Sequence, residues 1–176
     1  YKGTKIKNRA IYDLIEPGST IKPFIIYAGL MSEVIDKYTI IDTAPGVIRL
    51  DNKEIKDWKY LGKVSTGDII KLSSNIGAAK VSKKLSKKQL ISNLDLFGFG
   101  QSLFITLPGS KSGSLPTPNA LSDSNQFSIG YGYGLSVSLM HLVNAYTILA
   151  NIGSQTQLKY ISNTYPDDNK QVLDVQ

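Results

Sequence analysis

The hydrophobic positions first form a clear pattern over residues 24–30, an apolar run that follows a Pro-Gly pair. Proline and glycine end the preceding element, and Ser19 or Thr20 can cap a helix N-terminus. Pro23 is compatible with a first helical turn, because the N–H groups there have no partner within the helix. We therefore predict a helix from about residue 19 to residue 31, with a buried apolar body.

The next pattern, over residues 46–58, predicts a β-hairpin. Two short runs with alternating character, Val47–Leu50 and Lys53–Lys56, flank a polar turn at Asp51 and Asn52. Three helical segments are predicted after it, over residues 66–72, 77–84 and 87–97.

The chain from residue 106 to residue 126 is predicted to be a loop, because glycines and prolines interrupt polar residues there. A last helix is predicted over residues 138–151, with Ser138 as its N-cap. Its apolar face comprises Leu139, Leu142, Val143, Tyr146 and Leu149. Most of the chain is thus expected to be helix and loop.

Composition fits one globular domain. The chain has 176 residues, of which 41% are hydrophobic and 19% charged, enough for a core and too few charges for a disordered chain. The net charge of +6 permits anionic partners, but the basic residues are nearly all scattered lysines, so nucleic-acid binding is not predicted. The apolar run over 23–31 is too short to span a bilayer.

The counts of cysteine and histidine restrict the chemistry. Without cysteine the chain has no disulfide, no thiol nucleophile and no Cys-ligated zinc. A single histidine leaves no His-rich metal site, and a Ser-His-Asp triad would require His141 as the base. We expect no cofactor and no metal, and we expect His141 to be structural rather than a substrate contact.

The chain begins at Tyr1 without an initiator methionine or a signal segment. We therefore expect residues 1–176 to be part of a longer protein, with an N-terminal and a C-terminal part missing. The lack of a membrane anchor here then says nothing about the whole protein.

Ser19 and Lys22 are candidates for covalent chemistry. They lie three residues apart at the start of the predicted helix and so share one face. A serine needs an adjacent base to act as a nucleophile, and a lysine becomes that base when burial lowers its pKa. The alternative is an N-cap with a surface lysine, which the Ser-x-x-Lys spacing alone does not exclude.

Ser73-Ser74-Asn75, between two predicted helices, is the second candidate. It offers a hydroxyl group that can relay a proton and an amide that can donate and accept hydrogen bonds. The alternative is an ordinary turn that caps the next helix.

These motifs, in their order, resemble class B penicillin-binding proteins. The resemblance runs over nearly the whole chain and rests on three segments, Glu16-Pro17-Gly18-Ser19-Thr20-Ile21-Lys22-Pro23, Ser73-Ser74-Asn75-Ile76-Gly77 and Gly132-Tyr133-Gly134-Leu135-Ser136-Val137-Ser138. It is strongest for the septal, cell-division D,D-transpeptidases of peptidoglycan.

The resemblance implies an α+β fold of the penicillin-binding-protein and β-lactamase type, of which this chain would hold mainly the helical subdomain and a small β-hairpin. It implies Ser19 as the acylated nucleophile, Lys22 as its base, and Ser73 and Asn75 as the second motif, with Ser19, Ser73 and Asn75 contacting substrate. The implied partners are peptidoglycan stem peptides ending in D-Ala-D-Ala, β-lactams and other cell-division proteins. The implied location is the periplasmic face of a bacterial inner membrane, with the anchor in the missing N-terminal part.

Lys111-Ser112-Gly113 matches the letters of the family's third motif, Lys-Thr/Ser-Gly, but it precedes the Gly-Tyr-Gly segment and lies in a predicted loop. We expect it to be a structural loop and the third motif to lie beyond Gln176. The chain alone is then expected to be inactive, and incompletely folded because the sheet that would cover the apolar helix is largely absent.

Two other functions remain open at this point. One is a non-catalytic or truncated binding or scaffold module of the division machinery. The other is a β-lactamase or D,D-carboxypeptidase of the same superfamily, although no second acidic motif indicates a base for water.

Overall fold

The computed structural model describes residues 7–51, 53–103, 109–151 and 153–154. Within them there are seven α-helices and four short strands. The helices are α1 Arg9–Tyr12, α2 Lys22–Met31, α3 Thr66–Lys71, α4 Asn75–Lys84, α5 Lys87–Leu96, α6 Asp123–Gly130 and α7 Leu139–Ala150. The strands are β1 Ile40–Asp42, β2 Val47–Leu50, β3 Lys53–Lys56 and β4 Lys63–Ser65.

The strands form two separate antiparallel pairs. The predicted hairpin is confirmed as β2 and β3, with Ile48 opposite Ile55, although Asn52 of its turn lies outside the described residues. The other pair, β1 with β4, places Ile41 opposite Val64 and was not predicted. Each of its strands has only three residues, which is too short for an alternating pattern to be recognised.

Helix α2 is the centre of the core. Phe24, Ile25 and Ala28 are fully buried, and the Phe24 ring makes edge contacts with Phe97, Phe99 and Tyr146 at centroid distances of 4.8, 5.1 and 5.0 Å. We expected a missing sheet to bury the apolar surface of this helix, but other segments of this chain bury most of it. Only the C-terminal end of α2 is open, where Leu30 and Met31 are exposed.

Helix α6 corrects the prediction of a loop over 106–126, whose first three residues lie outside the described part of the chain. A 3-10 turn forms at Pro118–Ala120 and α6 begins at Asp123, with Ser122 as its N-cap. Its residue Gln126 is buried and its amide donates to the carbonyls of Ser82 and Leu85. The sequence conceals this helix because its buried side mixes polar Gln126 and Ser128 with apolar Ile129, so no apolar periodicity marks it.

The predicted helices α3, α4, α5 and α7 are confirmed within a few residues. Ser138 caps α7 as predicted, and His141 reaches back to it with its Nδ1 2.7 Å from Ser138 Oγ. His141 is fully buried and its Nε2 contacts the Gln101 carbonyl. Burial lowers the pKa of His141, so the ring is held neutral in a structural role. Among the described residues, no helix has the length and hydrophobicity to cross a membrane.

Candidate active site

The turn before α2 places Ser19 beside Lys22. Residues Gly18–Ile21 form one turn of 3-10 helix that continues directly into α2. Ser19 is exposed, whereas the side chain of Lys22, at the first position of α2, is only 2% exposed. Lys22 Nζ donates to Ser19 Oγ at 3.0 Å, so the proximity predicted from the Ser-x-x-Lys spacing is confirmed.

The second motif meets the same ammonium group from the other side. Lys22 Nζ donates to Ser73 Oγ at 2.8 Å, to the Ser73 carbonyl at 2.7 Å and to Asn75 Oδ1 at 2.8 Å. Ser73 Oγ lies 3.1 Å from Ser19 Oγ, so the three polar side chains form a closed network. The structure thus brings together all four site residues that the sequence analysis singled out.

The turn between α3 and α4 lets Ser73 contact Lys22 through two groups, its hydroxyl and its carbonyl. Ser73 has a left-handed backbone with φ of +54°. In this conformation both its hydroxyl and its carbonyl point to Lys22. The next residue, Ser74, is fully buried and turned away from Lys22, and its Oγ caps α4 by accepting from the N–H of Gly77 at 2.8 Å.

Asn75 is oriented by the hairpin. Its Nδ2 donates to the Lys56 carbonyl at 2.9 Å, so its Oδ1 faces Lys22. The carboxylate of Asp57, which follows β3, accepts from the backbone N–H of Asn75 at 2.5 Å. Sequence reasoning missed both contacts, because they run through backbone groups and leave no pattern in the residue types.

Burial is the main influence on the charge of Lys22. It lowers the pKa of Lys22 from 10.5 to about 8, and the negative charge of Asp57 opposes this shift by raising the pKa. A lysine with a pKa near 8 is neutral in a substantial fraction of molecules at physiological pH, unlike an exposed lysine. The arrangement can therefore supply a base next to a serine hydroxyl.

The Gly-Tyr-Gly segment packs directly on the turn that holds Ser19. The Gly18 N–H donates to the Gly132 carbonyl at 3.1 Å, and Glu16 accepts from the N–H of Gly134 at 2.9 Å. Gly132 has φ of +93°, and a Cβ placed on it would lie 2.0 Å from the Gly18 carbonyl oxygen. From α7, the Tyr146 hydroxyl donates to the Thr20 carbonyl at 2.9 Å. The backbone around Ser19 is thus fixed from two sides.

An open cavity of about 500 Å³ adjoins the network at Asn75. Charged and aromatic side chains dominate its lining, which includes Glu16, Lys53, Glu54, Lys56, Tyr131 and Tyr133. Its volume lies within the range of about 300–1,000 Å³ that is usual for ligand pockets.

Lys111 does not join this network. Its Nζ lies over the ring of Tyr12, 4.3 Å from the centroid. Gly113 packs against the Ser136 carbonyl, and the Ser114 N–H donates to the same carbonyl at 2.8 Å. These contacts agree with the prediction that Lys111-Ser112-Gly113 is a structural loop. No group of His, Asp and Glu able to hold a metal ion occurs among the residues that the structure describes.

Comparison with known proteins identifies relatives over almost all of the chain. The family model for the penicillin binding protein transpeptidase domain matches residues 1–176. Peptidoglycan D,D-transpeptidase FtsI of Buchnera aphidicola subsp. Schizaphis graminum is 35% identical over 96% of this chain and 29% of the relative. FtsI of Escherichia coli K12 is 30% identical over 84% of this chain and 25% of the relative. The chain thus spans less than a third of the length of these curated relatives.

Solved structures share the fold. A structure titled as a peptidoglycan glycosyltransferase from Burkholderia ambifaria superposes with a TM-score of 0.87 at 32% identity, over 96% of this chain and 52% of that one. The transpeptidase domain of penicillin-binding protein 3 from Burkholderia pseudomallei superposes with a TM-score of 0.82 at 32% identity, over 93% and 50%. The expected α+β class, mainly helical with a small hairpin, is confirmed. Given this match of fold, motif order and sequence, the chain belongs to the penicillin-binding protein transpeptidase domain family.

Proposed function

We propose that the full-length protein is a penicillin-binding serine D,D-transpeptidase that crosslinks peptidoglycan stem peptides during septal cell-wall synthesis. The observation that carries this proposal is the environment of Lys22, a 2%-exposed lysine within 3.0 Å of three polar side chains and one carbonyl, with its pKa lowered to about 8. The family and the FtsI relatives support the substrate class.

The hydrogen bonds of Lys22 explain how it acts as a base. An ammonium has three N–H groups, and two of them point to oxygens that can only accept, the Ser73 carbonyl and Asn75 Oδ1. The third position is left for the hydroxyls of Ser19 and Ser73. In the neutral amine this position is the lone pair, and it is aimed at the proton that must leave Ser19.

The first step is formation of an acyl-enzyme. Ser19 Oγ attacks the penultimate carbonyl carbon of a stem peptide ending in D-Ala-D-Ala while Lys22 takes the hydroxyl proton. Ser73, in contact with Lys22 and with Ser19, passes that proton to the nitrogen of the leaving D-Ala as the C–N bond breaks. Asn75 holds Lys22 through its Oδ1 and also contacts a carbonyl group of the substrate.

The second step transfers the acyl group to an amine. The amine of a neighbouring stem attacks the ester carbon, its proton passes to the same network, and Ser19 Oγ is released with a proton. β-Lactams acylate Ser19 because their strained amide presents a carbonyl at the same position, and the resulting ester hydrolyses slowly. The third motif, with its carboxylate-binding lysine, belongs to the rest of the domain in this proposal.

We further propose that the protein works on the periplasmic face of the bacterial inner membrane with other cell-division proteins, anchored by a segment outside residues 1–176. The similarity to proteins named FtsI supports this role.

Labelling with a fluorescent penicillin tests the proposal. The full-length wild type is expected to incorporate one label, and Ser19→Ala to incorporate none, while Ser112→Ala labels like the wild type. Intact-mass measurement gives the stoichiometry and the lifetime of the adduct. A Ser19→Ala protein that still labels would refute the assigned nucleophile, and an adduct lost within seconds would indicate a β-lactamase. A folded wild type that never gains the mass of the drug would indicate a binding or scaffold module.

A further inference from the structure

Asp57 is a buried acidic residue for which the proposed reaction has no direct use. Asp57 directly follows β3, and the residue is only 8% exposed. Its Oδ1 accepts from the N–H groups of Asn75 and Ile76 at 2.5 and 3.1 Å, and its Oδ2 accepts from Ser74 Oγ at 2.9 Å. Three donors thus converge on one carboxylate.

These donors are the start of α4, a helix of ten residues. The first N–H groups of a helix lack partners within the helix, and a negative charge is favourable at that end. Asp57 satisfies two of these N–H groups and also binds the middle residue of the Ser73-Ser74-Asn75 motif. The end of the hairpin is therefore fastened to the second motif.

The residue before Asp57 fixes the same motif through its backbone. The Lys56 carbonyl accepts from Asn75 Nδ2 at 2.9 Å, and Asn75 Oδ1 then lies 2.8 Å from Lys22 Nζ. The side chain and the backbone of two consecutive residues thus determine both where Asn75 sits and which way its amide points.

We infer that Asp57 is a positioning residue for acyl transfer, which holds the second motif against Lys22 and sets the electrostatic field at its Nζ. This inference rests on the proposed function, because it assigns Asp57 a role in the acylation of Ser19.

The charges around Lys22 define what the loss of Asp57 should do. The groups in contact with Nζ, from Ser19, Ser73 and Asn75, are neutral. Burial lowers the pKa of Lys22 and the Asp57 carboxylate raises it, which leaves it at about 8. The other charged groups nearby line the cavity next to Asn75 and are Glu16, Lys53, Glu54 and Lys56. Removing the charge of Asp57 should therefore favour the neutral form of Lys22 at lower pH.

Asp57→Asn removes the negative charge of the side chain but keeps its shape. The amide oxygen can still accept from the N–H groups of Asn75 and Ile76, and its nitrogen can donate to Ser74 Oγ. The acylation rate constant of the full-length protein is measured with a fluorescent penicillin from pH 5.5 to 9.5. We expect the pH midpoint of Asp57→Asn to fall below that of the wild type. For each pH unit by which the midpoint falls, the rate at pH 6 should rise about tenfold relative to the plateau rate.

Two variants serve as controls. Ser74→Ala removes a hydrogen bond to Asp57 and a helix cap but keeps the carboxylate, so its plateau rate should fall without a shift of the midpoint. Asp57→Ser is a second uncharged variant, and it is expected to shift the midpoint in the same direction if Asp57→Asn does not accumulate.

Failure of the role of Asp57 and failure of the proposed function give different results. Midpoints of Asp57→Asn and Asp57→Ser equal to that of the wild type, whatever their plateau rates, would overturn the inference and leave Asp57 as a purely structural residue. A wild type that is not acylated at Ser19 would instead overturn the proposed function.

Discussion

Gly132 makes the closest backbone approach to the turn that carries Ser19, and its replacement by alanine is the sharpest structural test of this site. The new Cβ would lie 2.0 Å from the Gly18 carbonyl oxygen and 2.4 Å from its carbonyl carbon. A carbon and a carbonyl oxygen normally stay about 3.3 Å apart, so one of the two backbones must move by more than ~1 Å. Since Ser19 follows Gly18 directly, that movement displaces the nucleophile from Lys22.

Gly134 provides the matched control. It also has a left-handed backbone, with φ of +83° against +93° at Gly132, but a Cβ there would have no atom within 4 Å. Alanine at either position bears the left-handed strain of about 1–2 kcal/mol. Gly132→Ala adds overpacking of about 1–3 kcal/mol and weakens the hydrogen bond from Gly18 to Gly132, for a total of about 3–5 kcal/mol.

The assays are urea denaturation and the rate of labelling by a fluorescent penicillin, both on the full-length protein. Misplacing a reacting group by ~1 Å lowers a rate by about 100-fold, so Gly132→Ala should label about 100 times more slowly than the wild type. Gly134→Ala should stay within a few-fold. Equal losses of stability and labelling in the two variants would show that the left-handed backbone, and not the approach to Gly18, is what matters.

Three further predictions concern Lys22 and the buried contact of α6 with α4. Lys22→Arg should lower penicillin acylation by about 100–10,000-fold although the positive charge remains, because arginine is not a base at neutral pH; a rate near that of the wild type would contradict the role of Lys22. With the pKa of Lys22 at about 8, the wild-type acylation rate should rise about tenfold per pH unit below pH 8 and level off above it, since the neutral amine is the active form; a rate independent of pH between 6 and 8 would contradict this assignment. Gln126→Leu should destabilise the domain in urea by about 2–4 kcal/mol, since the carbonyls of Ser82 and Leu85 lose a buried donor. Gln101→Leu also removes an amide, one that donates to Asp95, but Gln101 is exposed and water can replace it, so this change should cost less than about 1 kcal/mol. Similar effects of the two glutamine changes would contradict the importance assigned to the buried contact.

The sequence predicts those parts of the fold whose signals are local. The Pro-Gly break with Pro23 marks the start of α2, and Ser138 marks that of α7, because capping and proline geometry act within one turn. Helix α6 was missed because tertiary contacts decide it: Gln126 and Ser128 are polar yet buried, and Gln126 bonds to the end of α4. No window of local sequence contains that partner.

The candidate site likewise has residues that the sequence predicts and others that only the tertiary structure reveals. Ser19, Lys22, Ser73 and Asn75 are recognisable by residue type and order, and the structure brings them into one network. Asp57 is not recognisable, since a carboxylate that accepts from backbone N–H groups 18 and 19 residues away needs no particular residue type at its partners. The depth of burial that lowers the pKa of Lys22 is likewise a property of the packed core and not of the motif.

The left-handed backbone of Ser73, with φ of +54°, has a consequence for the evolution and engineering of this domain. Glycine adopts this conformation more easily than serine, by about 1 kcal/mol or more. Ser73→Gly would therefore relieve the backbone of this turn, but it would also remove the hydroxyl between Ser19 and Lys22. At this turn, the preferred backbone residue and the residue that completes the hydrogen-bond network of Lys22 are different, so part of the local conformational energy is given up for the network.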